Sequence, residues 1–90
     1  MPDSPFITPQ EAADWLARAE TPRPNQVYQH YRTRARYTVV CTSLDESDPR
    51  RVLVTYTRPT DPARTYWTRE VSDFLAEVAP GVPRFRRVAF

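Results

Sequence analysis

Four short aromatic patterns constrain the fold of this chain more than any other feature of its sequence. They hold three of the five tyrosines, the only histidine and one of the two tryptophans: Tyr28-Gln29-His30-Tyr31, Val52-Leu53-Val54-Thr55-Tyr56, Trp67-Thr68-Arg69 and Val82-Pro83-Arg84-Phe85. Each large amphipathic ring needs both an apolar pocket and a polar partner, so such residues are rarely placed without a packing role. Their spacing predicts one small β-domain.

The length and the cysteine content limit the class of protein. Ninety residues correspond to one domain, which buries only about 60–65% of the surface of its unfolded chain, so any site should be a shallow pocket on the core. The single Cys41 excludes an internal disulfide and a cysteine zinc site, and we expect neither a metal nor a cofactor. Residues 1–20 lack the apolar run of a signal peptide, and no segment approaches the roughly 20 apolar residues of a membrane span. We therefore expect a cytoplasmic protein that does not enter a membrane.

The basic residues are unevenly distributed. All 13 are arginines, and residues 21–44 hold four of them without any acidic residue. Tyr31 and Tyr37 flank three of these arginines, and Phe85 lies between Arg84 and Arg86, a combination that would allow phosphate contacts and base stacking. The residues of this predicted nucleic-acid surface are Arg32, Arg34, Arg36, Arg84 and Arg86. The alternative is a solvated arginine-rich surface without a ligand.

The local patterns predict one helix followed by strands. Thr8-Pro9-Gln10-Glu11 forms a capping box and predicts a helix over roughly 9–19. The two prolines within 21–25 end it in a stiff linker, so residues 1–24 form a leader and 25–90 the β-domain. Strands are expected at 27–31, 35–44, 51–57 and 65–69, then a helical turn at 71–74, a strand at 75–79 and an extended tail from 82. The alternative for 71–79 is a single helix, because Val71, Phe74, Leu75 and Val78 also fit a helical stripe. Together they suggest a small SH3-like five-stranded half-open barrel, since closure would remove exposed strand edges.

At this level of detail the sequence resembles a known family. The Tyr28-x-His30-Tyr31 pattern, the end of the third strand at Tyr56, Trp67-x-Arg69 and Val82-Pro83-Arg84-Phe85 are similar to the bacterial domain of unknown function 1653, over roughly residues 26–86. Glu70 stands where the family pattern usually has proline. The resemblance implies a small, mostly β fold with marked positions and no assigned reaction.

The candidate ligand-binding residues share strand faces. Tyr28 and His30 point to one face of the first strand, and Trp67 and Arg69 share a face of a later strand, with Tyr56 as a further aromatic neighbour. Such a set would hold a planar or anionic ligand through stacking, hydrogen bonding and a guanidinium clamp. The alternative is that the rings fill the core, in which case Arg69 pairs with an acid such as Glu70 or Asp73.

Three functions remain open at this stage. The first is a non-catalytic binding module for a nucleotide or single-stranded nucleic acid. The second is a protein-interaction subunit or homodimer that uses Trp15 and Leu16 of the predicted helix or an open strand edge. The third is a small hydrolase-like enzyme with His30 as the general base.

Overall fold

The computed structural model describes residues 8–18 and 20–89 of the chain. It contains nine elements, in chain order α1 (Pro9–Leu16), β1 (Val27–His30), β2 (Arg36–Asp45), β3 (Asp48–Thr57), β4 (Tyr66–Glu70), α2 (Val71–Phe74), β5 (Glu77–Ala79), β6 (Val82–Pro83) and β7 (Phe85–Ala89). The described part is therefore mainly β. No helix within it has the length and apolar character needed to cross a membrane.

Helix α1 begins with reciprocal hydrogen bonds between Thr8 and Glu11. The N–H of Glu11 donates to Oγ1 of Thr8 at 3.1 Å, and the N–H of Thr8 donates to Oε1 of Glu11 at 3.0 Å. Leu16 at the end of α1 packs against the core. The side chain of Trp15, on which the interaction hypothesis depends, lies outside the described part of the structure.

Five strands form one antiparallel sheet in the order β4-β3-β2-β1-β7. The expected barrel is not formed, because β4 and β7 are the two edges of this sheet and do not pair with each other. The intervening segment explains the difference: α2 and the separate two-stranded sheet of β5 and β6 occupy the chain between the two edges. The helical turn at 71–74 agrees with the prediction, and the following strand is two residues shorter than the predicted 75–79.

The core lies on one face of the sheet and is built mainly from aromatic rings. Phe74 of α2 is fully buried and stacks on Phe85 of β7 with ring centroids 4.2 Å apart. Its ring also contacts Tyr28 of β1 at 4.9 Å and Tyr56 of β3 at 5.2 Å. Val39 and the alternating residues of β3 complete the same layer.

The sheet is strongly curled around this core. The rings of Phe85 on β7 and Tyr56 on β3 lie 5.4 Å apart, although β1 and β2 separate the two strands within the sheet. In a flat sheet three strand spacings would separate their backbones by about 14 Å. The curl brings the two sheet edges toward each other on the inner face, and this closeness creates the candidate site.

Candidate functional site

His30 lies at the inner face where β1 ends. Its ring packs edge-on against Phe85, with centroids 5.1 Å apart, and Phe85 is its cross-strand partner. The backbone N–H groups of Arg32 and Thr33 donate to Nδ1 of His30 at 3.2 and 3.4 Å. Since Nδ1 accepts, the proton of the neutral imidazole resides on Nε2 and makes that atom a donor.

The surroundings of His30 disfavour a positive charge on its ring. Burial lowers the pKa of the His30 imidazole below its usual value, and the guanidinium groups of Arg32, Arg84 and Arg69 lower it further. The ring is therefore neutral at pH 7 and experiences a positive electrostatic potential. Such a potential attracts anions.

Arg69 extends from edge strand β4 across the inner face. Its Nη1 donates to Oδ2 of Asp73, four residues along the chain in α2, and its Nε is 3.5 Å from the hydroxyl of Tyr56. The hydrogen bonds to Tyr56 and Asp73 raise the pKa of the Arg69 guanidinium, so its charge is permanent. Arg69 thus pairs with Asp73, and Glu70 instead pairs with Arg51.

Arg84 reaches the same carboxylate from the other side. It precedes β7, and its Nη2 lies 3.8 Å from Oδ1 of Asp73. Within the described chain, the buried Nε of Arg84 has no hydrogen-bond acceptor. We call His30, Arg69, Asp73 and Arg84 the inner cluster. It holds two guanidinium groups against one carboxylate.

The three predicted aromatic site residues differ in exposure. Tyr28 and Tyr56 are buried in the core, and the hydroxyl of Tyr28 donates to Oε1 of Gln26 at 3.2 Å. Trp67 is 49% exposed, although its cross-strand partner Tyr56 is buried on the same face. Trp67 therefore does not fill the core, and it presents a ring surface beside Arg69.

The predicted nucleic-acid residues lie on two sides of the sheet. Arg84 points inward to Asp73. Arg36 and Arg86 are the cross-strand partners of Gln29 on its two sides and share the outer face with it. The last two, Arg32 and Arg34, are exposed in the turn between β1 and β2.

The sequence interpretation did not include Asp73 or Arg84 in the ligand site. The sequence indicates Asp73 only as one of two acids, with Glu70, that could pair with Arg69. No local pattern connects Asp73 with Arg84, because only the packing of α2 beside the start of β7 brings them together. The described residues include no group of three His, Cys, Asp or Glu side chains that could hold a metal ion.

The fold and this cluster define a small, mainly β domain with ionisable side chains gathered at the rim of an aromatic core. A family model described as "Protein of unknown function (DUF1653)" matches residues 26–87, which is more than half of the chain. The chain belongs to this family, and the resemblance found in the sequence is confirmed. Neither the curated proteins nor the solved structures gave a significant match.

Proposed function

We propose that this domain is a non-catalytic binding module for a nucleotide. The anionic group of the ligand would lie against Arg69, Arg84 and His30, and its base would stack on Trp67. The observation that carries the proposal is the convergence of two guanidinium groups on a single carboxylate, Asp73, with the neutral imidazole of His30 within electrostatic range of both guanidinium groups. One carboxylate balances only one of the two guanidinium charges, which leaves the cluster positive.

The hydrogen-bonding capacity of the inner cluster supports an anionic ligand. Arg84 contributes a guanidinium whose side chain is 27% exposed and whose only ion pair in the described chain is the long one to Asp73. The Nε2–H of His30 adds a further hydrogen-bond donor. Because this imidazole is neutral, burying it against a ligand does not carry the free-energy cost of removing a charge from water. Planar guanidinium groups favour phosphate and carboxylate oxygens, which they bind in a bidentate manner.

The ring of Trp67 supports a planar group in the same ligand. Trp67 and Arg69 are two residues apart on β4, so their Cα atoms are separated by about 7 Å along the strand. The base and the 5′-phosphate of a nucleotide are separated by a similar distance. Stacking on an exposed aromatic ring contributes about 1–3 kcal/mol per base.

The hydrogen bonds of His30 favour binding over catalysis. A general base needs an accessible lone pair within reach of the proton that it removes. In His30 the unprotonated nitrogen, Nδ1, already accepts from two backbone N–H groups. The remaining nitrogen is a donor, a role that suits anion recognition.

Two side-chain probes test the proposal in one titration. The variant Trp15→Phe leaves Trp67 as the sole tryptophan, and His30 is the sole histidine, so fluorescence and the imidazole NMR signal each report one position. We expect adenosine monophosphate to quench Trp67 and to shift the His30 signal. Inorganic phosphate should shift His30 alone, and adenosine should quench Trp67 more weakly than the nucleotide does.

Paired variants separate the site from nonspecific effects. Trp67→Ala should abolish the preference for the nucleotide over phosphate in the His30 titration. Tyr66→Ala, which removes an even more exposed neighbouring ring, should leave it unchanged. If adenosine monophosphate moves neither probe in a folded protein, the proposal is wrong. The open edges β4 and β7 would then favour the interaction-subunit hypothesis, which stays a prediction.

A further inference from the structure

The arginines of the described chain divide into two groups by their ion pairs. Those at one end of the sheet and in the inner cluster pair with acidic side chains: Arg50, Arg51, Arg69 and Arg84. Arg34, Arg36 and Arg86 form no ion pair with any described residue, and the segment from 21 to 44 contains no acidic residue that could supply one. Within the described residues these three charges are therefore available to an external anion.

Arg36 and Arg86 form a row on the outer face with Gln29 between them. Gln29 pairs with Arg36 on β2 and with Arg86 on β7, so the three side chains project from neighbouring strands on one face. The two arginines are separated by two strand spacings, about 10 Å. We call Arg36, Gln29 and Arg86 the outer basic row.

A cavity of about 240 Å³ opens beside this row. Gln29, His30, Arg34 and Arg86 line it, together with Gly81 from the β5–β6 connection. The turn that carries Arg34 is fixed, because the Nε2 of Gln29 donates to the carbonyl of Arg34 at 3.0 Å and the N–H of Arg34 donates to the carbonyl of His30 at 3.0 Å. Arg34 is thus held at the cavity on a defined backbone.

An aromatic ring completes the surface. Tyr31 also lines the cavity and is 39% exposed. Its ring packs at 4.9 Å against that of His30, which restricts its orientation. Positively charged grooves lined with exposed rings are the usual means by which proteins bind single strands, since the arginines contact phosphates and the rings stack with unpaired bases.

We propose that the outer basic row and the adjoining cavity bind the sugar–phosphate backbone of single-stranded nucleic acid, with Tyr31 stacking on a base. The surface depends on Arg34, Arg36 and Arg86, none of which belongs to the inner cluster. His30 of the inner cluster also lines the cavity, so the two proposed sites adjoin there, but the arginines that would contact phosphates are different ones. RNA and DNA share the phosphodiester that these arginines recognise.

The salt dependence of oligonucleotide binding tests this surface. Fluorescence anisotropy of labelled oligo-U and oligo-dT is measured with the full chain between about 50 and about 200 mM salt. Each phosphate contact in a single strand contributes about 0.7 to the slope of log K against log salt. Arg36→Gln and Arg86→Gln should each reduce the slope by about 0.7, and the double variant by about 1.4.

Arg50→Gln is the matched control. Arg50 is exposed, as the three arginines are, and pairs with Asp48 at the far end of β3, so its loss changes the net charge equally without touching the row. Its slope should equal that of the unaltered protein. An equal loss of slope in Arg50→Gln and Arg86→Gln would overturn the proposal, since net charge alone would then explain the binding.

Further outcomes are equally decisive. Absence of oligonucleotide binding, equal affinity for duplex DNA, or equal competition by polyglutamate would each overturn the proposal. Tyr31→Ala should bind the oligonucleotide more weakly with the same slope of log K against log salt, a result that would support stacking of Tyr31 on a base. Quenching of Trp67 by adenosine monophosphate should persist in the Arg36→Gln/Arg86→Gln variant, so failure of either site is recognised separately.

Discussion

Arg69 and Arg84 approach one carboxylate, that of Asp73, from opposite edges of the sheet. Arg69 lies on edge strand β4, and Arg84 immediately precedes edge strand β7. Nη1 of Arg69 bonds one oxygen of Asp73, and Nη2 of Arg84 lies 3.8 Å from the other. Side-chain charges thus connect the two edges where a closed barrel would have backbone hydrogen bonds.

Replacing Asp73 should affect stability and ligand affinity in opposite directions. Asp73→Asn removes the common counter-charge of Arg69 and Arg84. These groups are partly exposed, so we expect the free energy of unfolding to fall by only about 1 kcal/mol. The cluster becomes more positive, so adenosine monophosphate should bind more tightly. Urea denaturation and the Trp67 quenching titration measure the two effects.

Glu77→Gln is the control for Asp73→Asn, because it removes the same charge from an exposed position on β5. It should change the unfolding free energy by no more than about 0.5 kcal/mol. Weaker nucleotide binding in Asp73→Asn would contradict the role given to the inner cluster.

His30 should make the protein less stable in mildly acidic solution. Burial, together with Arg32, Arg84 and Arg69, lowers the pKa of the imidazole in the folded state below its usual value of 6.5. Between the folded and unfolded pKa values the unfolded chain binds more protons, so stability rises with pH in that interval. The stability that the neutral His30 retains is therefore fully present above about pH 6.5, and the free energy of unfolding decreases as the pH falls toward the folded pKa.

The NMR titration of this single imidazole measures the folded pKa directly. In urea denaturation, the free energy of unfolding of His30→Gln should not change with pH in this interval. The change at lower pH, which comes from carboxylates, should remain. A folded pKa of His30 at or above 6.5 would rule out the electrostatic description of the site.

Phe74 should be the most sensitive core position. Its fully buried ring contacts three other aromatic rings, those of Tyr28, Tyr56 and Phe85. Phe74→Ala should cost about 3–5 kcal/mol, a large part of the roughly 5–15 kcal/mol that stabilises a domain of this kind. The surface variant Tyr66→Ala should lower the free energy of unfolding by less than about 0.5 kcal/mol, and the loss in Phe74→Leu should lie between those of Tyr66→Ala and Phe74→Ala. Chemical denaturation would contradict this ranking if Phe74→Ala matched Tyr66→Ala.

We expect glycine to be required at position 81 because of its left-handed backbone conformation, since there is room for a side chain at this position. Its φ is +74°, and a Cβ there would meet no atom within 4 Å. Gly81→Ala should therefore cost about 1 kcal/mol through the left-handed backbone alone, and Gly81→Asn should cost less. For a domain of this size that corresponds to a fall in Tm of about 4–8 °C, measured by thermal unfolding. An unchanged Tm in Gly81→Ala would show that the turn relaxes.

The strands were largely predictable, and their assembly was not. The strand predicted at 51–57 lies within β3, and its residues Val52, Val54 and Tyr56 are buried. Closure of the predicted barrel would have required the edge strands β4 and β7, which are distant in the sequence, to pair with each other. The prediction failed because β5 pairs with β6 in a separate sheet and leaves β4 and β7 as edges.

The site was predictable only in part for the same reason. The period of two placed Trp67 and Arg69 on one face, but the exposure of Trp67 follows from the position of β4 at the sheet edge. The role of Arg84 depends on the packing of α2, which no short pattern encodes. Local patterns identified the chemistry of individual residues, and tertiary contacts decided which of them meet.

The separation of paired from unpaired arginines gives the domain an electric dipole. The hairpin between β2 and β3 carries Asp45, Glu46 and Asp48 near its tip, where Arg50 and Arg51 balance two of the three charges. Arg36, which forms no ion pair with a described residue, lies at the opposite end of β2. Nine residue-to-residue steps along β2 separate Arg36 from Asp45, a distance of about 30 Å. In the field of a polyanion the molecule would therefore rotate before contact, so that collisions occur mainly with the arginine end leading.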